Sequence, residues 1–316
     1  MKPIKEWPFI GKILKWSDSI SLPGFRGLSL YETISFIIKE ASKDAIYTRA
    51  NSVAFSFFLA LFPALIFLFT LIPLLPGTQD FIFVIKDSTR SIMPNDAHNF
   101  LFEMVDGVVG QERDGLRFFG AILALIFASS GMFTLMIGFD KSYEAFKKRT
   151  WLKQRLIALY LTLLMSALLI FSFLLIVFGK QLINLGINFF HFENFATPTY
   201  FVSRFIGTFI VFYLGITLIY RLGPSLINRV PFWNPGAIVA TLFSILSSLG
   251  FAYFINNFGR YNEIYGSIGA LMVIMLWLQI NAYIIIIGFE LNVSIEIAGN
   301  LGNKVIEDKT TTSQLP

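Results

Sequence analysis

The chain has 316 residues, of which 55% are hydrophobic and only 14% are charged, with 36 Phe and no Cys. A soluble domain carries about a quarter charged residues, so this chain lacks the polar residues to cover a water-soluble surface. The chain has 25 Lys and Arg against 20 acids, a balance that indicates neither an acidic disordered chain nor a nucleic-acid binder. Without cysteine, disulfides, thiolate metal sites and a cysteine nucleophile are excluded.

The first predicted element is an amphipathic helix within residues 28–50, where apolar residues recur at helical spacing between charged ones. It lies along the cytoplasmic interface or packs against the bundle, and the pattern leaves both arrangements open. No apolar stretch of signal-peptide length precedes residue 50. We therefore expect residues 1–51 to form an uncleaved cytoplasmic and interfacial region.

Six predominantly apolar stretches of about 20 residues predict an all-α protein with six transmembrane helices. Their approximate limits are 52–75, 116–139, 156–178, 200–220, 235–256 and 265–289. These form one membrane domain at 52–290, with a small helical extracytoplasmic cap inserted at 76–116. The polar residues at 291–316 are predicted to form a largely disordered cytoplasmic tail.

The charge distribution predicts that both termini are cytoplasmic. With that orientation, 18 of the 25 Lys and Arg lie in inside segments, whereas the loop at 76–117 carries seven acids. The positive-inside rule therefore favours a multi-pass membrane protein with both termini and residues 140–155 inside. Within this loop, Lys147, Lys148 and Arg149 are candidates for binding anionic lipid headgroups.

Polar residues inside the spans are costly when unpaired, so they mark either pathways or structural pairs. Gln279 and Asn281 lie in mid-span and must face protein or a wet cavity, either as interhelical hydrogen bonds or as part of a path. Glu290 is expected near the cytoplasmic surface, either as a snorkelling or salt-bridged end residue, with Arg221 and Arg229 as candidate partners, or as a path residue. Pro63 is expected to kink the first span, which frees carbonyl groups for a ligand or for neighbouring helices.

Small residues recur every four positions in two spans and predict close helix packing. Ala240, Ser244, Ser248 and Ala252 form one stripe, and Ser130, Thr134 and Gly138 form another. We expect the two stripes to pack together or one of them to form a dimer face. A homo-oligomer is therefore left open.

Residues 256–270 connect the fifth and sixth spans and are rich in aromatic and hydrogen-bonding groups. This composition is typical of an interfacial anchor, and it favours a contact to a headgroup or substrate equally well. With the polar span residues they complete the candidate substrate path or gate: Asn51, Pro63, Asn257, Tyr261, Tyr265, Gly266, Ser267, Gly269, Gln279, Asn281 and Glu290.

Several motifs in this chain resemble the YihY/BrkB family of bacterial inner-membrane proteins. They are the run 51–63, the Trp-Asn-Pro-Gly-Ala of 233–237, and the Tyr-Gly-Ser of 265–267 followed at fixed spacing by the Gly-Phe-Glu-Leu-Asn of 288–292. The resemblance covers roughly residues 30–298, and Phe289 departs from the Ala of many members. It implies six helices with cytoplasmic termini. Members are variously named as virulence factors, suggested lipid movers and a tRNA-processing ribonuclease.

The residue composition argues against ribonuclease activity. RNA hydrolysis needs a metal cluster or an acid–base pair, and the chain has only two His. No Walker-type phosphate loop is present in the sequence. We expect no cofactor, no metal and no nucleic-acid partner. The favoured function is a transporter or flippase-like protein for a lipid or other amphiphile, with membrane lipids as partners. The alternative is a structural or scaffolding protein of the cell envelope.

Overall fold

A computed structural model describes residues 35, 44–71, 102–103, 114–140, 147, 149–190, 196–227, 229–257 and 259–312. Six long helices make up most of the described chain. They are α1 (Asp44–Leu71), α2 (Asp114–Phe139), α3 (Trp151–Phe190), α4 (Ala196–Leu222), α5 (Pro235–Asn257) and α6 (Gly259–Thr312).

Each helix contains one segment that is long and apolar enough to cross a membrane. The segments are Ala45–Leu68, Phe118–Phe139, Trp151–Ser172, Phe205–Leu222, Pro235–Ile255 and Leu271–Glu296. At 1.5 Å per residue, even an 18-residue segment spans about 27 Å, close to the thickness of the hydrocarbon core. The prediction of an all-α protein with six transmembrane helices is confirmed.

Several helix limits differ from the predicted ones. α1 begins at Asp44, so the end of the predicted amphipathic helix is part of the first spanning helix. α6 runs without a break from Gly259 to Thr312, through both the predicted connector and the predicted disordered tail. The sequence has no proline between 235 and 316, so nothing forces this helix to stop.

Other predicted elements lie outside the described residues. This holds for the amphipathic segment before Asp44, except residue 35, and for most of the predicted cap at 76–116. α3 extends to Phe190, well beyond the predicted end of the third span at 178.

The six helices form a closed ring. Each packs against the next helix along the chain, and α6 returns to pack against α1 while touching α2. Consecutive helices are antiparallel, since Arg49 at the start of α1 bonds to Gly138 at the end of α2. α6 therefore lies between α5 and α1, which makes it the helix that closes the bundle.

The two stripes of small residues pack against other partners than expected. In the α2 stripe, a Cβ added to Gly138 would meet Val53 of α1 at 3.4 Å, whereas the Ser130 hydroxyl accepts from Arg155 of α3 at 3.4 Å. Ala240 of the α5 stripe lies against Gly288 of α6. These stripe residues contact α1, α3 and α6 because α2 and α5 are not neighbours in the ring.

An aromatic cluster fills the interior near one end of the bundle. The ring centroid of Phe139 in α2 lies 4.4 Å from that of Phe289 in α6 and 5.8 Å from that of Tyr220 in α4. All three side chains are fully buried. Phe289, the departure from the family motif, thus fills space among three helices, where aromatic pairs contribute about 0.5–1.5 kcal/mol beyond area burial.

Candidate functional site

The polar contacts concentrate at one end of the bundle, where α2 and α4 finish and α1, α3 and α5 begin. We name it the Arg149 end. There Arg49 of α1 donates to Glu290 Oε1 of α6 at 2.9 Å and to the carbonyl oxygen of Gly138 in α2 at 2.8 Å. The Glu290 side chain is 3% exposed and that of Arg49 22% exposed. One ion pair therefore links three helices.

The expected partner of Glu290 was wrong. Neither Arg221 nor Arg229 but Arg49 forms the ion pair, because α1 begins earlier than predicted and brings Arg49 beside α6. Glu290 also lies inside the span Leu271–Glu296, whereas a surface position was expected. A carboxylate buried at this depth needs its cation, since an unpaired buried charge costs several kcal/mol.

A second polar group at the Arg149 end fixes the start of α5. Asn234 is its N-cap: the side-chain Oδ1 accepts from the backbone N–H of Ala237 at 2.8 Å, and Pro235 occupies the first helical position. Asn292 of α6 accepts from the N–H of Gly236 at 2.8 Å and donates to Asn234 Oδ1 at 2.8 Å. Two free N–H groups of α5 are thereby satisfied, one of them by a side chain of α6.

The close contact between α5 and α6 requires glycine on both helices, at Gly236 and at Gly288. A Cβ on Gly236 would overlap the carbonyl oxygen of Gly288, and a Cβ on Gly288 would lie 2.5 Å from the Tyr220 hydroxyl. That hydroxyl donates to the carbonyl oxygen of Ile285 at 2.7 Å. The backbones of α5 and α6 therefore touch here, with α4 locked against them.

The basic loop is partly structural. Arg149 donates to the carbonyl oxygens of Gly223 at 2.9 Å and Pro224 at 2.7 Å, directly after the end of α4. Burial lowers the pKa of Arg149 and nearby Asp140 acts in the opposite direction, but the guanidinium stays charged at neutral pH. Arg149 thus caps the C-terminal end of α4, as basic groups do at helix C-termini.

The two other members of the proposed headgroup site differ from Arg149. Lys147 is exposed, and its backbone N–H donates to the carbonyl oxygen of Ser225 at 2.8 Å. Lys148 lies outside the described residues. Asp140 accepts from Ser225 at 2.7 Å and from Gln154 at 3.1 Å, which ties the loop to α3.

The two mid-span amides bond to protein on different sides of α6. Gln279 donates from Nε2 to Asn51 Oδ1 of α1 at 2.6 Å. Asn281 donates to Ser247 Oγ of α5 at 3.4 Å and to the carbonyl oxygen of Trp277 at 2.9 Å. As expected from their spacing, they meet different neighbours. The contact to Ser247 is at the long limit of a hydrogen bond and so weak.

The remaining candidate residues lie on α1, α5 and α6. Pro63 lies inside the continuous helix α1, and Asn257 is the last residue of α5. The rest of the predicted gate lies on the first turns of α6, where only Gly269 has a described environment and is buried. These helical residues are Tyr261, Tyr265, Gly266, Ser267 and Gly269.

Arg49, Asn234 and Asn292 were not among the predicted site residues. Asn234 and Asn292 stand in the motifs that carry the family resemblance, and an Asn directly before Pro-Gly is itself a helix-start signal. Arg49 gave no such signal, because its role depends on contact with a helix 241 residues away. Among the described residues, no group of three His, Asp or Glu side chains could hold a metal ion.

A closed ring of six antiparallel membrane helices, tied at one end by buried polar side chains, defines a multi-pass membrane protein. The sequence profile described as Virulence factor BrkB matches residues 37–310, so the chain belongs to that family. The predicted family resemblance is confirmed.

Relatives fall into two groups. The chain is 29% identical to the ribonuclease-like protein YfkH of Bacillus subtilis over 78% of its length and 88% of YfkH. It is 32% identical to a UPF0761 membrane protein of Xanthomonas axonopodis over 25% of the chain and 19% of that protein. A UPF0761 membrane protein of Tolumonas auensis is 33% identical over 24% of the chain and 25% of that protein. The matches thus span only about a fifth to a quarter of the UPF0761 proteins. No solved structure matches the chain.

Proposed function

We propose that this protein moves a lipid or other amphiphile across the bacterial inner membrane, with the Arg149 end facing the cytoplasm. The observation that carries the proposal is the uneven hydrogen bonding between α6 and α5. At the Arg149 end, Asn292 of α6 is held by a 2.8 Å bond from the N–H of Gly236 in α5. In mid-membrane, Asn281 is held across the α5 contact by a 3.4 Å bond.

This difference suits a helix that is anchored to α5 at one end and separable from α5 in the middle, while the 2.6 Å bond from Gln279 to Asn51 holds it against α1. Replacing a weak amide–hydroxyl bond by a bond to a substrate costs little, since interhelical hydrogen bonds in membranes average about 0.6 kcal/mol. A path lined by amides and hydroxyls also suits an amphiphile, whose polar part must leave water while its chains remain in the bilayer. Exposed Lys147 could attract anionic headgroups to the path entrance.

The test is lipid transfer in reconstituted vesicles. Fluorescent phospholipids in one leaflet are made non-fluorescent by a reductant that does not cross the membrane, so transfer appears as additional loss of signal. We expect faster transfer in vesicles with the protein than in protein-free vesicles. Asn281→Leu should slow transfer, whereas Arg229→Gln, at an exposed residue, should leave it unchanged. Equal transfer with and without protein, across neutral and anionic lipid classes, would disprove the proposal.

A scaffolding role is the second candidate, and the connected polar group at the Arg149 end favours it. Arg49, Glu290, Asn234 and Asn292 bond to one another or to backbone and join α1, α2, α5 and α6. Such a group stabilises one arrangement of helices, as a platform for other envelope proteins requires. A correctly folded protein without transfer activity, captured with the same envelope proteins by cross-linking in cells, would support this candidate.

The proposed function is not enzymatic. One relative carries the name ribonuclease-like, which says nothing of a reaction in this chain. The buried carboxylate of Glu290, which could otherwise act as an acid or base, forms an ion pair with Arg49 of α1. Purified protein incubated with tRNA precursors is expected to leave them intact, and specific cleavage that is lost in Glu290→Gln would contradict this expectation.

A further inference from the structure

The contact between α5 and α6 keeps one register over four helical turns. Successive pairs face each other in antiparallel order, and each step of four or seven residues along α5 is matched by an equal step back along α6. The pairs are Gly236 with Asn292, Ala240 with Gly288, Ser247 with Asn281, and Phe251 with Trp277. By the same register Ser244 lies opposite residue 284, between the second and third pairs. We name the facing residues of the second half of this contact the α5–α6 seam: Ser244, Ser247, Phe251, Trp277 and Asn281.

Polar atoms in this seam lack hydrogen-bond partners. Within the described part of the chain, Ser244 Oγ and Trp277 Nε1 are both buried and unpartnered, as is Thr241 Oγ1 one turn before Ser244. Ser244 is only 2% exposed. A buried polar group without a partner costs about 1–3 kcal/mol, so such groups favour a bound water or ligand that supplies the missing hydrogen bond.

One flank of the seam faces lipid. In a helix, the residue that precedes a seam residue is rotated from it by about 100° about the helix axis. Because α5 and α6 are antiparallel, this rotation is toward the same flank on both helices. The large side chains at these positions are 43% to 61% exposed in the bundle. They are Phe243, Leu246, Leu276 and Ile280. A lipid would therefore reach the buried seam atoms from this side once α5 and α6 separate.

The seam carries no ionisable side chain. Its polar groups are two unpartnered donors, Ser244 O–H and Trp277 N–H, the hydroxyl of Ser247, and the amide of Asn281, which donates and accepts. A phosphate or carboxylate would be a buried charge without a cation here and would be excluded by several kcal/mol. In this register Ser244 and Trp277 lie about two helical turns apart, so they need two uncharged acceptors, which the hydroxyl and ester carbonyls of one glycerolipid supply.

We propose that the α5–α6 seam binds a membrane lipid through an uncharged polar group, the hydroxyl or ester carbonyl of a glycerolipid. The inference rests on the proposed function for its choice of a lipid as ligand. It adds the place of binding and the selection against charge at mid-membrane depth. Binding and transfer are separate measurements, so each idea can fail alone.

The test uses photoreactive diacylglycerol in vesicles containing the full-length protein, with labelled peptides identified by mass spectrometry. We expect labelling of α5 and α6 between residues 243 and 281. Ser244→Ala combined with Trp277→Phe should reduce it about fivefold, the equivalent of one hydrogen bond of about 1 kcal/mol. Ser248→Ala is the matched control for Ser244, because the Ser248 hydroxyl donates to its own helix at 2.8 Å. Gln279→Leu controls for loss of a mid-span amide outside the seam.

Two further probes separate the chemical groups. A dialkyl glycerol keeps the hydroxyl but has no ester, and phosphatidic acid keeps the esters but adds a charged phosphate. The proposal is supported if diacylglycerol labels the seam and phosphatidic acid labels it more weakly. Labelling by the dialkyl glycerol then shows that the hydroxyl is sufficient, and its absence shows that the ester carbonyl is needed. Stronger labelling by phosphatidic acid, or equal labelling of wild type and the Ser244/Trp277 variant, overturns it. Seam labelling without lipid transfer would support the site and contradict the proposed function, and transfer without seam labelling would do the reverse.

Discussion

The Arg49–Glu290 ion pair is buried on its acidic side and partly exposed on its basic side. Glu290→Ala leaves Arg49 without its carboxylate, and Arg49→Ala leaves a buried carboxylate without its cation. We expect Arg49→Ala to be the worse change, with a loss of about 3 kcal/mol, typical of one partner removed from a buried pair. Thermal unfolding in detergent, followed by fluorescence of the five Trp, measures this as a lower Tm.

The control for this pair is its joint removal. Arg49→Met with Glu290→Met replaces both charges by apolar groups and should recover part of the lost stability, as in other buried pairs. The exposed Arg229→Gln should leave the Tm unchanged. A double variant as unstable as the worse single variant would show that the two residues act through other contacts.

At the level of single residues, the sequence identified the unusual polar positions within the spans but not the residues to which they bond. Gln279, Asn281 and Glu290 stood out because polar groups are rare in apolar spans, and all three bond to protein. Their partners could not be predicted, since Asn51 and Arg49 lie more than 200 residues away along the chain. Only the three-dimensional return of α6 to α1 brings them together.

The contact between α5 and α6 tolerates no added methyl group where the backbones touch. In Gly288→Ala the new Cβ would lie 2.5 Å from the Tyr220 hydroxyl and 2.7 Å from the carbonyl oxygen of Gly236. Two of the three nearest atoms belong to backbone or to a neighbouring Cβ, so the helices must separate. We expect a loss of about 1–3 kcal/mol from overpacking, measured as a lower Tm and reduced yield of folded protein.

Gly250→Ala is the matched control for Gly288→Ala. Gly250 lies in α5, and a Cβ there would meet nothing within 4 Å. Alanine is the better helix former by about 1 kcal/mol, so this variant should be unchanged or slightly more stable. Equal effects of the two substitutions would contradict the close contact at Gly288.

The end of α4 depends on Arg149. Arg149→Gln removes the charged donors to the carbonyl oxygens of Gly223 and Pro224, and we expect a loss of about 1.5–3 kcal/mol, typical of hydrogen bonds to charged groups. Lys147→Gln, at an exposed side chain, should leave stability unchanged. The comparison is made by thermal unfolding at low and high salt. A loss in Lys147→Gln as large as in Arg149→Gln would contradict the structural role of Arg149.

At the level of elements, hydropathy predicted the number and order of the helices because every span must be apolar along its length. It did not predict their ends. The charged residues before 52 and the polar residues after 290 continue the helices as Asp44–Leu71 and Gly259–Thr312, since no proline or other break stands there. Small-residue stripes predicted close packing correctly, but they carry no information on which helix is the neighbour.

The arrangement of the whole molecule in the membrane follows from its charge distribution. We expect the Arg149 end to face the cytoplasm, because 18 of 25 Lys and Arg fall on that side. Lys147→Cys should resist an impermeant thiol reagent in intact cells and react after permeabilisation, whereas Asp114→Cys at the start of α2 should react in both. The absence of native cysteine makes the background clean. Labelling of position 147 in intact cells would reverse the assignment.

Closure of the ring by α6 also sets an order of events during synthesis. Glu290 is made 241 residues after Arg49, which at about 5–20 residues per second is a delay of roughly 10–50 seconds. Among the described residues made before α6, the acceptors of Arg49 are the carbonyl oxygens of Gly138 and Ala45, which carry no full charge. The α1–α2 hairpin therefore persists in the membrane without the carboxylate of Glu290 until the last helix arrives. An interrupted chain that lacks α6 would never gain that carboxylate, a feature by which membrane quality control can distinguish it from the finished protein.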